Sequence, residues 1–156
     1  MADLKKGKAH KLGPGVLKFG ETGSEIEFGL QCKAVTVEAD VEENDDDLVV
    51  LTGSLDGDDD VTESYTLSGE LYQDYSKSSL IAWCHVNAGK AVPFTFKPND
   101  DQELNVRGTV RIRRLSIGGD VGDRNTSDFE FKSSEKVPYQ LFAGDTEVKT
   151  YTKPAA

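Results

Sequence analysis

The sequence predicts a mainly β protein: a β-sandwich or partly rolled barrel with one flanking α-helix. Three observations lead there. Apolar and polar residues alternate with a period of two in segment after segment. Clusters of Gly, Pro, Asn and Asp separate those segments at short intervals. A single stretch around Leu80–Cys84 carries a helical apolar stripe instead. Many strands interrupted once by a helix fit packed or rolled sheets and not an alternating α/β fold.

Residues 1–15 read as a flexible basic arm, polar and lysine-rich, closed by Gly13-Pro14-Gly15. The sandwich domain is expected over 16–142 and a weakly patterned C-terminal extension over 143–156. Val16, Leu17 and Phe19 open the strand pattern, followed by Ile26 and Phe28. The clearest strand comes next: Val35, Val37, Ala39 and Val41 point one way, Thr36, Glu38, Asp40 and Glu42 the other. A parity break near Lys33-Ala34 predicts a bulge or a strand end. Leu48–Leu51 reads as a short apolar strand after the Asn44–Asp47 loop, and Asp56–Asp60 as a second acidic turn. Tyr65, Leu67, Gly69 and Leu71 alternate with Ser64, Thr66, Ser68 and Glu70, which predicts a hairpin of 48–55 with 61–71.

The helix is expected near 76–88, capped by Asp74 or Ser76 and stopped by Gly89. Val92, Phe94 and Phe96 alternate in the next strand, which ends at Pro98-Asn99-Asp100-Asp101. Asn105–Ser116 places Val106, Gly108, Val110 and Ile112 on one face and Arg107, Thr109, Arg111 and Arg113 on the other. Phe129 and Phe131 mark an inward face over 128–132, and 138–142 and 147–152 read as further short strands.

Charge is the most one-sided property of the 156-residue chain. It holds 28 acids against 18 bases, a net −10, and no Lys, Arg or His lies between Lys33 and Lys77. Half of the acids fall in that interval. Such a balance argues against tight nucleic-acid binding, which needs clustered cations for counterion release. It gives no support for docking on an anionic membrane either. The lysines at the start precede no apolar run, so they are not read as a signal peptide, and a cytosolic origin is expected. Cys32 on a strand and Cys84 on the helix are expected as buried thiols, not as a disulfide.

Catalytic patterns fail one by one. His10 lies in the arm, and His85 follows Cys84 on the helix, where neighbours diverge by about 100°, so neither pairs with a nucleophile. Zinc, phosphate-loop and metalloprotease spacings are missing. An EF-hand loop starting at Asp56 would put Val61 at the glycine position and Leu67 at the bidentate glutamate, so that motif fails too. The arginine face of 107–113 is read as pairing with carboxylates of a neighbouring strand or subunit, in preference to a nucleic-acid stripe. No enzyme, cofactor or metal is expected.

A set of segments then matters as a set: Val16-Leu17-Lys18-Phe19-Gly20-Glu21-Thr22-Gly23, Leu67-Ser68-Gly69-Glu70-Leu71-Tyr72-Gln73-Asp74, and Leu80-Ile81-Ala82-Trp83. Val92-Pro93-Phe94-Thr95-Phe96-Lys97-Pro98-Asn99, Gly108-Thr109-Val110, Ile117-Gly118-Gly119-Asp120-Val121 and Thr126–Phe131 continue it. Over residues 16–133 this order resembles the major tail tube proteins of long-tailed, siphovirus-type bacteriophages, especially those of actinobacterial hosts. The resemblance implies a β-sandwich subunit with one flanking helix. It also implies hexameric rings of self-associated subunits, stacked into a virion tail tube with other tail proteins and assembled in the host cytoplasm. Genomic DNA would pass through the lumen during ejection without specific binding, and no membrane is involved. Glu38, Asp40, Glu42, Glu63 and Glu70 are the candidate lumen or interface acids, and Lys5, Lys6 and Lys8 a candidate inter-subunit arm. The alternative is a calcium-binding or adhesive β-sandwich module built on the turns between Asp45 and Asp60. A hydrolase with an acidic pair ranks below both, for want of a positioned base.

Overall fold

Alternating side chains give the chain its strands, and the partner each strand finds decides where it ends. The computed structural model describes residues 9–21, 23–44, 48–51, 53–55 and 60–151. In chain order the elements are β1 (Val16–Phe19), β2 (Ile26–Glu27), β3 (Cys32–Asn44), β4 (Leu48–Val50), β5 (Gly53–Leu55) and β6 (Asp60–Tyr72). Then follow α1 (Leu80–Asn87), β7 (Ala91–Lys97), β8 (Leu104–Arg111), β9 (Thr126–Lys132), β10 (Gln140–Ala143) and β11 (Thr146–Glu147). One sheet has the order β11-β10-β8-β7-β1-β2, a second β3-β6-β9, and β4 pairs with β5 alone. The two main sheets face each other without closing, so the expected β-sandwich with one helix is what forms.

The core lies between them. Leu17, Phe19, Phe28, Leu67, Leu71, Val110, Ile112, Phe129 and Phe131 are buried. Phe28 is the hub: its ring meets Phe19 at 4.8 Å and Phe129 at 5.3 Å, both edge-on. Edge-to-face pairs add about 0.5–1.5 kcal/mol beyond their burial. Trp83 reaches down from α1 onto Phe19 at 5.5 Å and Phe28 at 6.3 Å, which fastens the helix over this cluster.

Close approach dictates two glycines, Gly69 within the three-stranded sheet and Gly108 between the two sheets. A Cβ on Gly69 would strike the Ala34 carbonyl and the Phe129 ring, and one on Gly108 would strike the Tyr65 hydroxyl. That hydroxyl donates to the Thr109 carbonyl at 3.0 Å and accepts from the Thr109 N–H at 2.7 Å. It bridges β6 to β8 where β8 has left β10 and no strand is available to pair. A single Val110–Ser133 bridge seals the same corner.

Several expectations are corrected. β6 does not form a hairpin with β4–β5; it pairs with β3 from Cys32–Leu71 to Asn44–Asp60, a far longer ladder, while β4 and β5 satisfy each other. The predicted bulge is present, between Cys32 and Ala34. α1 starts at Leu80 and not near 76, because Asp74 spends its carboxylate on the Ser76 N–H and Ser79 caps the helix by accepting from the Ala82 N–H at 3.3 Å. Gly89, at φ 84°, stands just past the helix end in the left-handed region. β8 ends at Arg111 and not Ser116, since β7 and β10 offer no partner beyond that point. Cys84 is buried, but Cys32 is only half-buried. β10 and β11 join across Ala143, so part of the segment expected as an extension belongs to the six-stranded sheet.

Candidate functional site

In an antiparallel pair, directly opposed residues share a face, so the register of β3, β6 and β9 shows which acids lie together. Glu38 opposes Thr66, which opposes Lys132; Thr36 opposes Ser68, which opposes Glu130; Asp40 opposes Ser64, Glu42 opposes Thr62, and Glu70 opposes Asp128. The outer face of the three-stranded sheet is therefore polar along its length. Its side chains form a shallow depression bordered by Glu38, Asp40, Glu42, Ser64, Thr66, Ser68, Glu130 and Lys132.

Neighbouring strands stand about 4.8 Å apart, so these carboxylates repel one another and need local support. The Thr66 hydroxyl donates to Asp40 Oδ2 at 2.7 Å, and the Thr126 hydroxyl donates to Glu70 Oε1 at 2.6 Å. Lys33, the bulged residue, brings its ammonium to 3.9 Å from Glu70 and lies over the Tyr72 ring. Glu38, Asp40, Glu42, Asp128 and Glu130 are exposed to solvent. The result is a sheet of like charge, held in place by threonines and diluted by two lysines.

Of the acids singled out in the sequence, Glu38, Asp40, Glu42 and Glu70 share this face. Glu63 does not: it opposes Val41 on the reverse side, with core parity, where the ribbon has run past the core. Asp128 and Glu130 were missed. Their alternation with Phe129 and Phe131 shows that they point outward, but only the pairing of β9 onto β6 brings them beside Glu70 and Ser68. Lys5, Lys6 and Lys8 lie outside the described residues, as do the acids at 45–47, 56 and 58–59 of the calcium alternative. Among the described residues, no group of three or more His, Cys, Asp or Glu is placed to hold a metal ion.

The arginine face expected to pair with carboxylates does so at one position. Arg107 meets Asp145 at 3.2 Å and stacks over Phe142 at 4.1 Å, whereas Arg111 donates to the Gly89 carbonyl. His85 is exposed while Cys84 beside it is buried, as helical divergence requires. Burial pushes both thiols up to about 12, with nearby Glu27 adding to the effect at Cys32 and Cys32 at Cys84.

Fold and site together define a class: an open two-sheet β fold with one helix, displaying an acidic face on its three-stranded sheet. Among solved structures, the fold is similar to a protein in the "tail of empty GTA particle computed with helical refinement, C6 symmetry". That likeness has a TM-score of 0.53 and 18% identity, covering 78% of this chain and 91% of that one. A protein in the virion of a native gene transfer agent (GTA) particle gives a TM-score of 0.48 and 14% identity over 81% of this chain and 95% of that one. At these identities the likeness is one of fold. No protein-family model matches the chain, and no curated protein matches it.

Proposed function

We propose that this chain is the structural subunit of a phage-type tail tube, of the major tail tube class of long-tailed phages. Six copies close into a ring, rings stack into a tube, and the acidic sheet face lines the channel through which genomic DNA leaves. The supporting observation is the three-stranded sheet itself: one acidic face, with β3 and β9 as edge strands that pair with no further strand among the described residues. The fold it belongs to is similar to that of a protein in the tail of an empty GTA particle, a tail described with C6 symmetry.

Open edges are a hazard in a monomer and an asset in a ring. Pairing β3 of one copy with β9 of the next would satisfy both, and after six repeats this sheet has no edge left. A head-to-tail contact of this kind closes on itself around an axis, while its counterpart along the axis stays open-ended.

Duplex DNA carries one negative charge per about 1.7 Å of axis. Against it, a wall bearing Glu38, Asp40, Glu42, Asp128 and Glu130 in every copy presents no phosphate sites to release from. Screening confines the repulsion to about 8 Å at physiological salt, so the wall acts as a short-range non-stick surface. In this reading the protein is a building block of the virion tail, not a catalyst. Its partners are copies of itself and other tail proteins.

Electron microscopy of the concentrated protein tests the proposal. Rings with a central hole, or hollow filaments built from them, are expected. Solid fibres or compact oligomers with no channel would overturn it.

A further inference from the structure

Two surfaces are left unmatched by the packing of a single copy. The first is a projection. β9 pairs with β6 only from Thr66 to Tyr72, so from Ala39–Tyr65 to Asn44–Asp60 the β3–β6 pair continues as a two-stranded ribbon, about 17 Å long at 3.3–3.4 Å per residue. Its inner side keeps core parity but has run past the core: Ala39 is exposed and Val41 is 56% exposed, with Glu63 directly opposite. Two strands alone are marginally stable in water.

The second surface is a corner of the opposite charge. Lys90, Arg111, Arg113 and Arg114 are all exposed where β8 leaves its sheet. They are neighbours, because the Ile112 N–H donates to the Lys90 carbonyl at 3.0 Å and the Arg111 guanidinium donates to the Gly89 carbonyl at 3.1 Å. Among the described residues, none of the four makes an ion pair, although Arg107 on the same strand does. Val86, 70% exposed, lies on the last turn of α1 just before this corner. Four exposed cations together are a notable concentration on a chain of net charge −10.

We propose that these two surfaces meet between copies: the inner side of one ribbon docks on the Lys90–Arg114 corner of the next copy. Glu63 enters among the guanidinium groups, and Val41 packs on their aliphatic stems and on Val86. Arginine stems cover apolar surface well while keeping the charged head solvated, so one contact answers both the exposed valine and the unpaired charge. Charge complementarity sets the register, and because the two surfaces differ, the contact is head-to-tail. The inference deepens the tube reading and rests on it for its place in the assembly; the test does not.

Two variants serve: Glu63→Arg, and Arg113→Glu with Arg114→Glu. Each places like charges across the contact. Sedimentation at low salt is expected to show self-association weakened at least about tenfold in either variant alone. An equimolar mixture is expected to recover it, since the swapped ribbon meets the swapped corner and the native ribbon meets the native corner. Circular-dichroism melts of both variants check that the fold is kept. The neutral pair, Glu63→Gln and Arg113→Gln with Arg114→Gln, should weaken association less.

Either charge-reversed variant associating like wild type, or a mixture of folded variants staying monomeric, would overturn the contact. Loss of binding to a 20-base-pair duplex in Arg113→Glu/Arg114→Glu, with self-association unchanged, would assign the corner to nucleic acid and overturn it too. Hollow tubes formed equally well by the single variants would leave the tube standing without this contact. Mixing-dependent pairs in a protein that never forms a channel would do the reverse.

Discussion

At the scale of residues, one hydroxyl does double duty where the two sheets join, beside the Val110–Ser133 bridge and the bond from the Ser134 N–H to the Thr109 carbonyl. Tyr65 supplies both a donor and an acceptor to the Thr109 backbone, and Gly108 leaves the space for its ring. Tyr65→Phe keeps the ring but leaves a part-buried N–H and C=O without that partner, so a loss of about 1–3 kcal/mol is expected in urea unfolding. Gly108→Ala drives a methyl group into the same hydroxyl and should cost about 1–3 kcal/mol by overpacking. Because both act on one contact, the double variant should lose less than the sum of the two.

The thiols give a second test at this scale. Burial raises Cys32 and Cys84 to about 12 in the folded protein, above the roughly 8.5 of a free thiol. Thiols raised in this way favour the folded state fully below the unfolded value, and the contribution is lost as pH rises from there through the folded value. Stability should therefore fall between about pH 9 and 12, and less steeply in a Cys84→Ala variant than in wild type. At pH 8 the fully buried Cys84 should not react with a disulfide reagent until the chain unfolds.

At the scale of elements, the sequence was read well where a side chain's own neighbours decide the structure, and less well where a distant partner does. The alternation through Val35–Val41 and Ser64–Leu71 identified both long strands and their faces, and the bulge at Lys33 followed from a break in parity. Nothing in β6 itself says whether it pairs with β4–β5 or with β3, since any two-faced strand fits; ladder length settles it. The same gap hid Asp128 and Glu130 from the candidate site and left open on which face Glu63 lies. For α1, three capping residue types within six positions blurred the start: Asp74, Ser76 and Ser79 each suit the role, and only the bond from the Ala82 N–H distinguishes Ser79. Ser79→Ala should cost about 1 kcal/mol in thermal or urea unfolding, whereas Ser76→Ala should be nearly silent.

At the scale of the whole molecule, the chain separates its charge. Acids gather on the outer face of the three-stranded sheet, and cations that make no ion pair among the described residues gather at the far end of β8. A uniform net charge of −10 would serve solubility alone; this segregation suits a subunit whose inside and contacts have different tasks. In the proposed tube, inverting the face should change how the channel meets DNA without changing what the copies build. Glu38→Lys with Glu130→Lys, both exposed and free of internal partners among the described residues, is expected to leave ring formation intact. The assembled variant should retain duplex DNA in a filter-binding assay at low salt and release it steeply as salt rises. Wild-type assemblies should retain none at any salt.

The most direct measurement is a cryo-electron-microscopy reconstruction of the assembled tube at side-chain resolution. The account predicts a sixfold ring in which Glu38, Asp40 and Glu130 of every copy face the axis and β3 of one copy runs beside β9 of the next. A reconstruction with that acidic face on the outer surface, or with a channel lined chiefly by lysine and arginine, would contradict it.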